Sequence, residues 1–193
     1  MGIFKNRNNN TSNQTQNANK EDKTDEMLNE LFPDIEADDI KSAKLMTLVC
    51  LCLSDEILES DLFNRCSFGD QLTSIAFAKV AYYHLINRFP IENNLFYAFL
   101  SYYFWENFDL QLLDIYEAIF HIQKHEHLYL LKYYDYDDNA DIARTGNFHF
   151  VMKAFYYDLK KSTGSDYESL KNISEEEFAQ TIGPIVEKSL SSF

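Results

Sequence analysis

Glu117, His121 and His125 follow one another at intervals of one helical turn, with Asp114 close to the same stripe. Two neutral imidazoles at i and i+4 can reach a single divalent ion, and a carboxylate one turn earlier supplies a third ligand, so the spacing is that of a candidate metal site. The helix that must carry it spans 109–133. There Leu112, Ile115, Tyr116, Ile119, Gln123, Glu126 and Leu130 form one broad, mainly apolar face, and Asp114, Glu117, His121 and His125 lie opposite. On that placement the stripe faces water and no second ligand-bearing segment accompanies it. We read it as a solvated face, with neither a metal nor a cofactor expected.

Two further constellations follow in the chain. Asp135, Asp137, Asn139 and Asp141 alternate as the oxygen donors do at the start of an EF-hand loop, with Ile142 at the apolar eighth position. Ala140 stands where the sharp turn needs glycine, and Gly146 where a bidentate glutamate closes the shell, so the segment reads as a solvated acidic loop. Arg144 and His149 have R-x4-H spacing, and in those two residues the chain resembles the HEPN-type ribonucleases, small all-helical proteins that use the arginine for phosphate and the histidine for proton transfer. The resemblance implies an alternative reading as a ribonuclease using Arg144 and His149; independently of it, the helical spacing offers a second alternative, a metal-dependent hydrolase using Glu117, His121 and His125. Positions five apart on one helix are about 140° apart, so a shared pocket requires the helix to begin after Arg144.

Motifs of the common reaction classes are absent: no Walker-type phosphate loop, no G-x-G-x-x-G, no G-x-S-x-G, no H-E-x-x-H and no C-x-x-C. His84 stands alone in an apolar helix and reads as a hydrogen-bonded core histidine. Cys50, Cys52 and Cys66 are odd in number and lie in apolar surroundings, which suits reduced core thiols and an intracellular, cytoplasmic setting. Gly2 is followed by Asn6 where N-myristoylation wants Ser or Thr, and the N-terminus lacks a secretory h-region. Lys79 and His84 interrupt the longest apolar stretch, so no transmembrane segment is expected.

The elements that must position these residues are helical. Five glycines and three prolines are too little punctuation for strands and turns, and no Asn-Gly hairpin signal occurs. Residues 1–23 are Asn-rich with almost nothing apolar after Phe4, and read as a disordered tail. Residues 24–193 read as a single acidic all-α domain, a bundle of about seven or eight helices. Met27, Leu28, Leu31 and Phe32 make a short amphipathic turn stopped by Pro33. Asp38 or Asp39 is expected to cap a helix carrying Ile40, Ala43, Thr47, Leu48, Leu51 and Cys52 at helical spacing, and a shorter helix is expected from Ser54 through Leu62. Asp70 is expected to cap the next, which is apolar all round from Leu72 to Ile86 and so central to the core, with Pro90 ending it. Further helices are expected over 94–106 and around Phe148 to Leu159. Two more are expected after capping-box pairs at Ser165/Glu168 and Ser174/Glu177, the last bent or interrupted at Gly183-Pro184.

Charge and aromatic content then bound the function. The formal net charge is −14, and because residues 1–24 hold Lys5, Arg7, Lys20 and Lys23 against Glu21 and Asp22, residues 25–193 carry −16. Such a field repels phosphate backbones and steers basic partners inward, so a protein partner with a basic surface is expected and direct nucleic-acid binding is not. Tyrosines come in pairs, Tyr82-Tyr83, Tyr102-Tyr103 and Tyr156-Tyr157, and neighbours about 100° apart allow one ring to face the core while the other reaches the boundary. Acid and tyrosine meet at Tyr133, Tyr134, Asp135, Tyr136, Asp137, Asp138 and Asp141, which form the candidate partner-binding segment. The function expected is that of an acidic helical protein-interaction module, an inhibitor or adaptor docking onto a basic partner.

Overall fold

The computed structural model describes residues 30, 33–63, 66–86, 93–133, 148–162 and 168–191, with backbone alone at 84–86, 93, 131–133, 148–150, 162 and 168–169. Among these residues every regular element is helical. Helix α1 is Ala37–Leu58, α2 Phe68–Ile86, α3 Asn93–Asn107, α4 Leu112–Tyr133, α5 Phe148–Ser162, α6 Glu168–Lys171 and α7 Glu175–Ser191. Six of them are long and α6 is a four-residue turn, so the described chain builds fewer helices than the seven or eight expected. The 1–23 tail, the Met27–Phe32 turn, Pro90 and the Ser165 cap lie outside the described residues.

Local chemistry explains the starts and stops. Ser67 and Asp70 cap α2 reciprocally: the Asp70 amide donates to Ser67 Oγ at 3.2 Å and the Ser67 amide to Asp70 Oδ2 at 3.3 Å. Asp70 is thus the returning acid of a capping box, and Ser67 is the residue outside the helix. Helix α1 has no side-chain cap; Glu36 precedes it in extended conformation, and Asp38 and Asp39 stand within the first turn, where acids complement the helix dipole. The separate helix expected from Ser54 does not form. Neither glycine nor proline interrupts the chain there, Ser54 turns into the core, and α1 continues unbroken to Leu58. Before α7 the Glu177 amide donates to Ser174 Oγ at 3.1 Å, as the capping pattern required. The interruption expected at Gly183-Pro184 is also absent, because α7 runs through both residues. Proline there removes one donor, and the carbonyl it leaves belongs to exposed Gln180.

Helix α2 is the axis of the fold. It is buried without a break from Asp70 to Tyr82, as its all-round apolar sequence demanded, and α1, α4, α5 and α7 pack around it while α3 closes against α1 and α4. Aromatic rings fill the layers between. Phe77 of α2 stacks on Phe155 of α5 with centroids 4.1 Å apart, and Phe155 meets Phe178 of α7 edge-on at 5.6 Å. The Tyr156 hydroxyl donates to the Ile173 carbonyl at 2.6 Å, tying α5 to the chain just before α7. Two tyrosine pairs divide as helical geometry predicts, with Tyr82 and Tyr156 buried and Tyr83 and Tyr157 exposed, while Tyr102 and Tyr103 are both half-buried. No helix among the described residues is long and apolar enough to cross a membrane.

Candidate functional site

Helix α4 presents a polar seam to the core and an apolar stripe to solvent. Its buried face is Ile115, Ala118, Ile119, Ile122 and Tyr129, joined by half-buried His121, His125 and Glu126. Leu112 and Tyr116, expected on the apolar inner face, are exposed. His121 and His125, expected on the outer one, turn toward α2 and α5. Only a buried interaction partner can hold polar residues on that side, and each of them has one.

His121 Nε2 lies 3.2 Å from Thr73 Oγ1 on α2. Thr73 gives its single hydroxyl hydrogen to the Gly69 carbonyl at 3.0 Å, so the hydroxyl accepts and the imidazole donates. Burial holds the His121 imidazole below its ordinary value, opposed by the Gly69 carbonyl and Asp70 and reinforced by Lys124. His125 stacks on His121 with ring centroids 4.4 Å apart and places Nδ1 3.9 Å from Asp158 Oδ2 of α5. The two imidazoles therefore meet by their faces, and their nitrogens address different partners. Glu117, one turn earlier, is exposed. Among the described residues no three of His, Cys, Asp and Glu gather as a metal shell would require. The carboxylate and the hydroxyl also sit on different imidazoles, so no acid–imidazole–hydroxyl chain is made.

One turn further along, Lys79 of α2 is almost fully buried and points at Glu126 of α4, Nζ to Oε2 2.8 Å. Tyr97 of α3 donates its hydroxyl to the same carboxylate oxygen and stands 3.1 Å from Lys79 Nζ. The ammonium lies 4.7 Å above the Phe96 ring and 4.5 Å from that of Tyr97, which gives it cation–π support in place of water. Burial lowers the Lys79 pKa, with Glu126 pulling it back up, and desolvation with the Glu126 charge raises that of Tyr97. Three helices are pinned at this point. Cys50 is buried nearby and its thiol pKa is pushed up by desolvation, so it is a poor nucleophile. Cys52, expected in the core, is exposed on the outer face of α1; Cys66 is half-buried, and none of the three forms a disulfide.

The outer face of α4 is unlike the rest of the surface. Leu112, Leu113, Tyr116 and Phe120 are 66%, 68%, 64% and 67% exposed, and at about 100° per residue they fall on one stripe. Exposed Asp109 and Glu117 border it, Asp114 stands further round the helix, and exposed Gln123, Lys124 and His127 end it on the C-terminal side. Asp114 also accepts from the Gln111 amide at 3.2 Å, capping the helix start. A shallower outer stripe on α1 holds Leu45 and Leu48. An open groove of about 450 Å³ between the end of α1 and α7 is lined by Glu56, Glu59, Ser60, Pro184, Ile185 and Lys188, without a histidine or cysteine.

Of the sequence-derived sites, the segment Tyr134, Asp135, Tyr136, Asp137, Asp138 and Asp141 lies outside the described residues, as does Arg144. Tyr133, His149 and His84 are described by backbone alone. The α4 stripe was missed in the sequence because Leu112 and Tyr116 fit an inward face equally well by spacing. The signal that marks it is two adjacent leucines and an aromatic i, i+4 pair just after an acidic turn. No family model, curated protein or solved structure matches this chain.

Proposed function

We propose that this protein is an acidic helical interaction module, an inhibitor or adaptor that docks onto a protein with a basic surface. The observation that carries the reading is the α4 stripe: four large apolar side chains, each about two-thirds exposed, side by side on one helix and bordered by acid. Single exposed leucines need no explanation, but a contiguous patch rimmed by charge is the usual anatomy of a binding surface. The charge of −16 on residues 25–193 supplies the long-range attraction for a cationic partner, and the three unbridged thiols support an intracellular place of action. The segment 133–141 follows α4 in sequence and is proposed to contribute tyrosine and acid to partner binding.

The test is comparative capture. Immobilised wild-type protein and the Leu113→Asp/Phe120→Asp variant, matched by circular dichroism, are exposed to the same cell extract. A protein held by the wild type, lost from the variant and released by salt supports the reading. Identical, salt-insensitive retention by both would refute it.

A further inference from the structure

The chemistry around the stripe says what kind of partner fits it. A second copy of this chain would join two bodies of −14 each, so self-association is opposed by like charge at long range. An anionic lipid surface or a nucleic acid meets the same repulsion. The complementary partner must be apolar along its centre and basic along its edge.

The backbone geometry selects a helix over an extended segment. Helix α4 has satisfied its main chain internally and offers no sheet edge, so strand addition has nothing to pair with. What it offers is a ridge, Leu112–Tyr116–Phe120 at i, i+4, i+8, with Leu113 beside it, and ridges of this kind are received by the grooves of another helix. The ridge spans eight residues, about 12 Å along the axis, which a little over two turns of a partner helix would cover. Polarity is set as well. Acid lies around the N-terminal half of the stripe, while Lys124 stands at its C-terminal end, so the partner's cationic residues belong over Asp109 and Glu117 and away from Lys124.

We propose that the outer face of α4 is a docking site for a basic amphipathic helix of another protein. Its apolar stripe lies along Leu112, Leu113, Tyr116 and Phe120, and its Lys and Arg side chains lie beside Asp109 and Glu117. The proposal rests on the interaction-module reading and narrows it to one class of ligand.

The probes are labelled helical peptides of about 20 residues sharing one leucine and phenylalanine stripe: one flanked by Lys and Arg, one by Glu, and a scrambled version of the first. Fluorescence anisotropy on the full chain should show the basic peptide binding roughly tenfold or more tighter than the other two and weakening steeply with salt. Phe120→Asp should weaken it by a similar factor, Glu117→Lys should weaken the basic peptide and favour the acidic one, and Leu48→Asp on α1 should change nothing. Amide shifts of the unaltered protein on adding the basic peptide should concentrate in 109–127, a readout independent of any variant. Equal binding of all three peptides, shifts centred elsewhere, or a stripe-dependent dimer in sedimentation would overturn the proposal. Should no peptide bind while extract capture still depends on Leu113 and Phe120, the basic helix is the wrong ligand and the interaction module stands.

Discussion

Lys79 on α2 and Glu126 on α4 form an ion pair inside the protein, 2.8 Å between Nζ and Oε2, with the lysine side chain 2% and the glutamate 14% exposed. An isolated ammonium cannot be left in such a place, because desolvation far outweighs what the surrounding rings return. Glu126→Leu or Lys79→Met alone should each destabilise the fold by about 3–5 kcal/mol, whereas the joint replacement Lys79→Met/Glu126→Leu should recover most of the loss. Urea unfolding of the four proteins closes the double-mutant cycle. Additive single effects would show that the pair is not coupled.

The stacked imidazoles make stability depend on pH in a stated direction. Burial keeps the His121 pKa below its ordinary value near 6.5, so as pH falls the unfolded chain takes up this proton before the folded one does. The stability gained by keeping His121 neutral is complete above about pH 6.5 and is lost as pH falls from there through the lower folded value. His121→Gln should flatten the fall in urea midpoint between about pH 7.5 and 5.5 relative to wild type. The same slope in both proteins would assign the acid sensitivity elsewhere, with the His125–Asp158 pair next to be tested.

Thiol reactivity should separate the three cysteines. Cys52 is exposed, Cys66 half-buried, and Cys50 fully buried with its pKa raised by desolvation. A chromogenic disulfide reagent at neutral pH should label Cys52 quickly and Cys50 only on global unfolding, with Cys66 between. Fast labelling of Cys50 in the native protein would mean that α1 opens locally from the helices packed against it.

The single tryptophan reports on the surface. Trp105 near the end of α3 is 66% exposed, so its emission should lie at the long wavelengths of a hydrated indole and be readily quenched by acrylamide. A blue-shifted, protected emission would place another segment of the chain, or a second molecule, over that part of α3.

Local patterning made the all-α class and the central helix legible. A segment with apolar residues in nearly every direction around the axis, such as 72–82, can only be satisfied by burial on every side, and α2 is so buried. Two of the tyrosine pairs followed for the same reason, since adjacent positions on a helix face different ways. The orientation of α4 did not follow. Its buried arc is rotated by roughly 70° from the one periodicity suggested, because His121 and His125 are held inward by Thr73 and Asp158, 48 and 33 residues away in sequence. Lys79 reads in sequence as an interruption of an apolar run, and nothing near it announces a counter-charge. The unbroken length of α1 was likewise hidden: Ser54-Asp55-Glu56 has the composition of a helix start, and only the packing of Ser54 against the core shows that it is a helix interior.

Thr73–His121 and Lys79–Glu126 ascend α2 and α4 together, six residues apart on one helix and five on the other, so the two helices run in the same direction and are keyed at two levels. A slip of one turn, about 5.4 Å, would break both keys at once and strand a buried ammonium. Helix α4 is therefore denied the lengthwise sliding by which many helical proteins relay a binding event, and its outer stripe is held as a rigid template. A partner should lock on in a single kinetic phase, and whatever signal follows must come from what the bound surface hides from others.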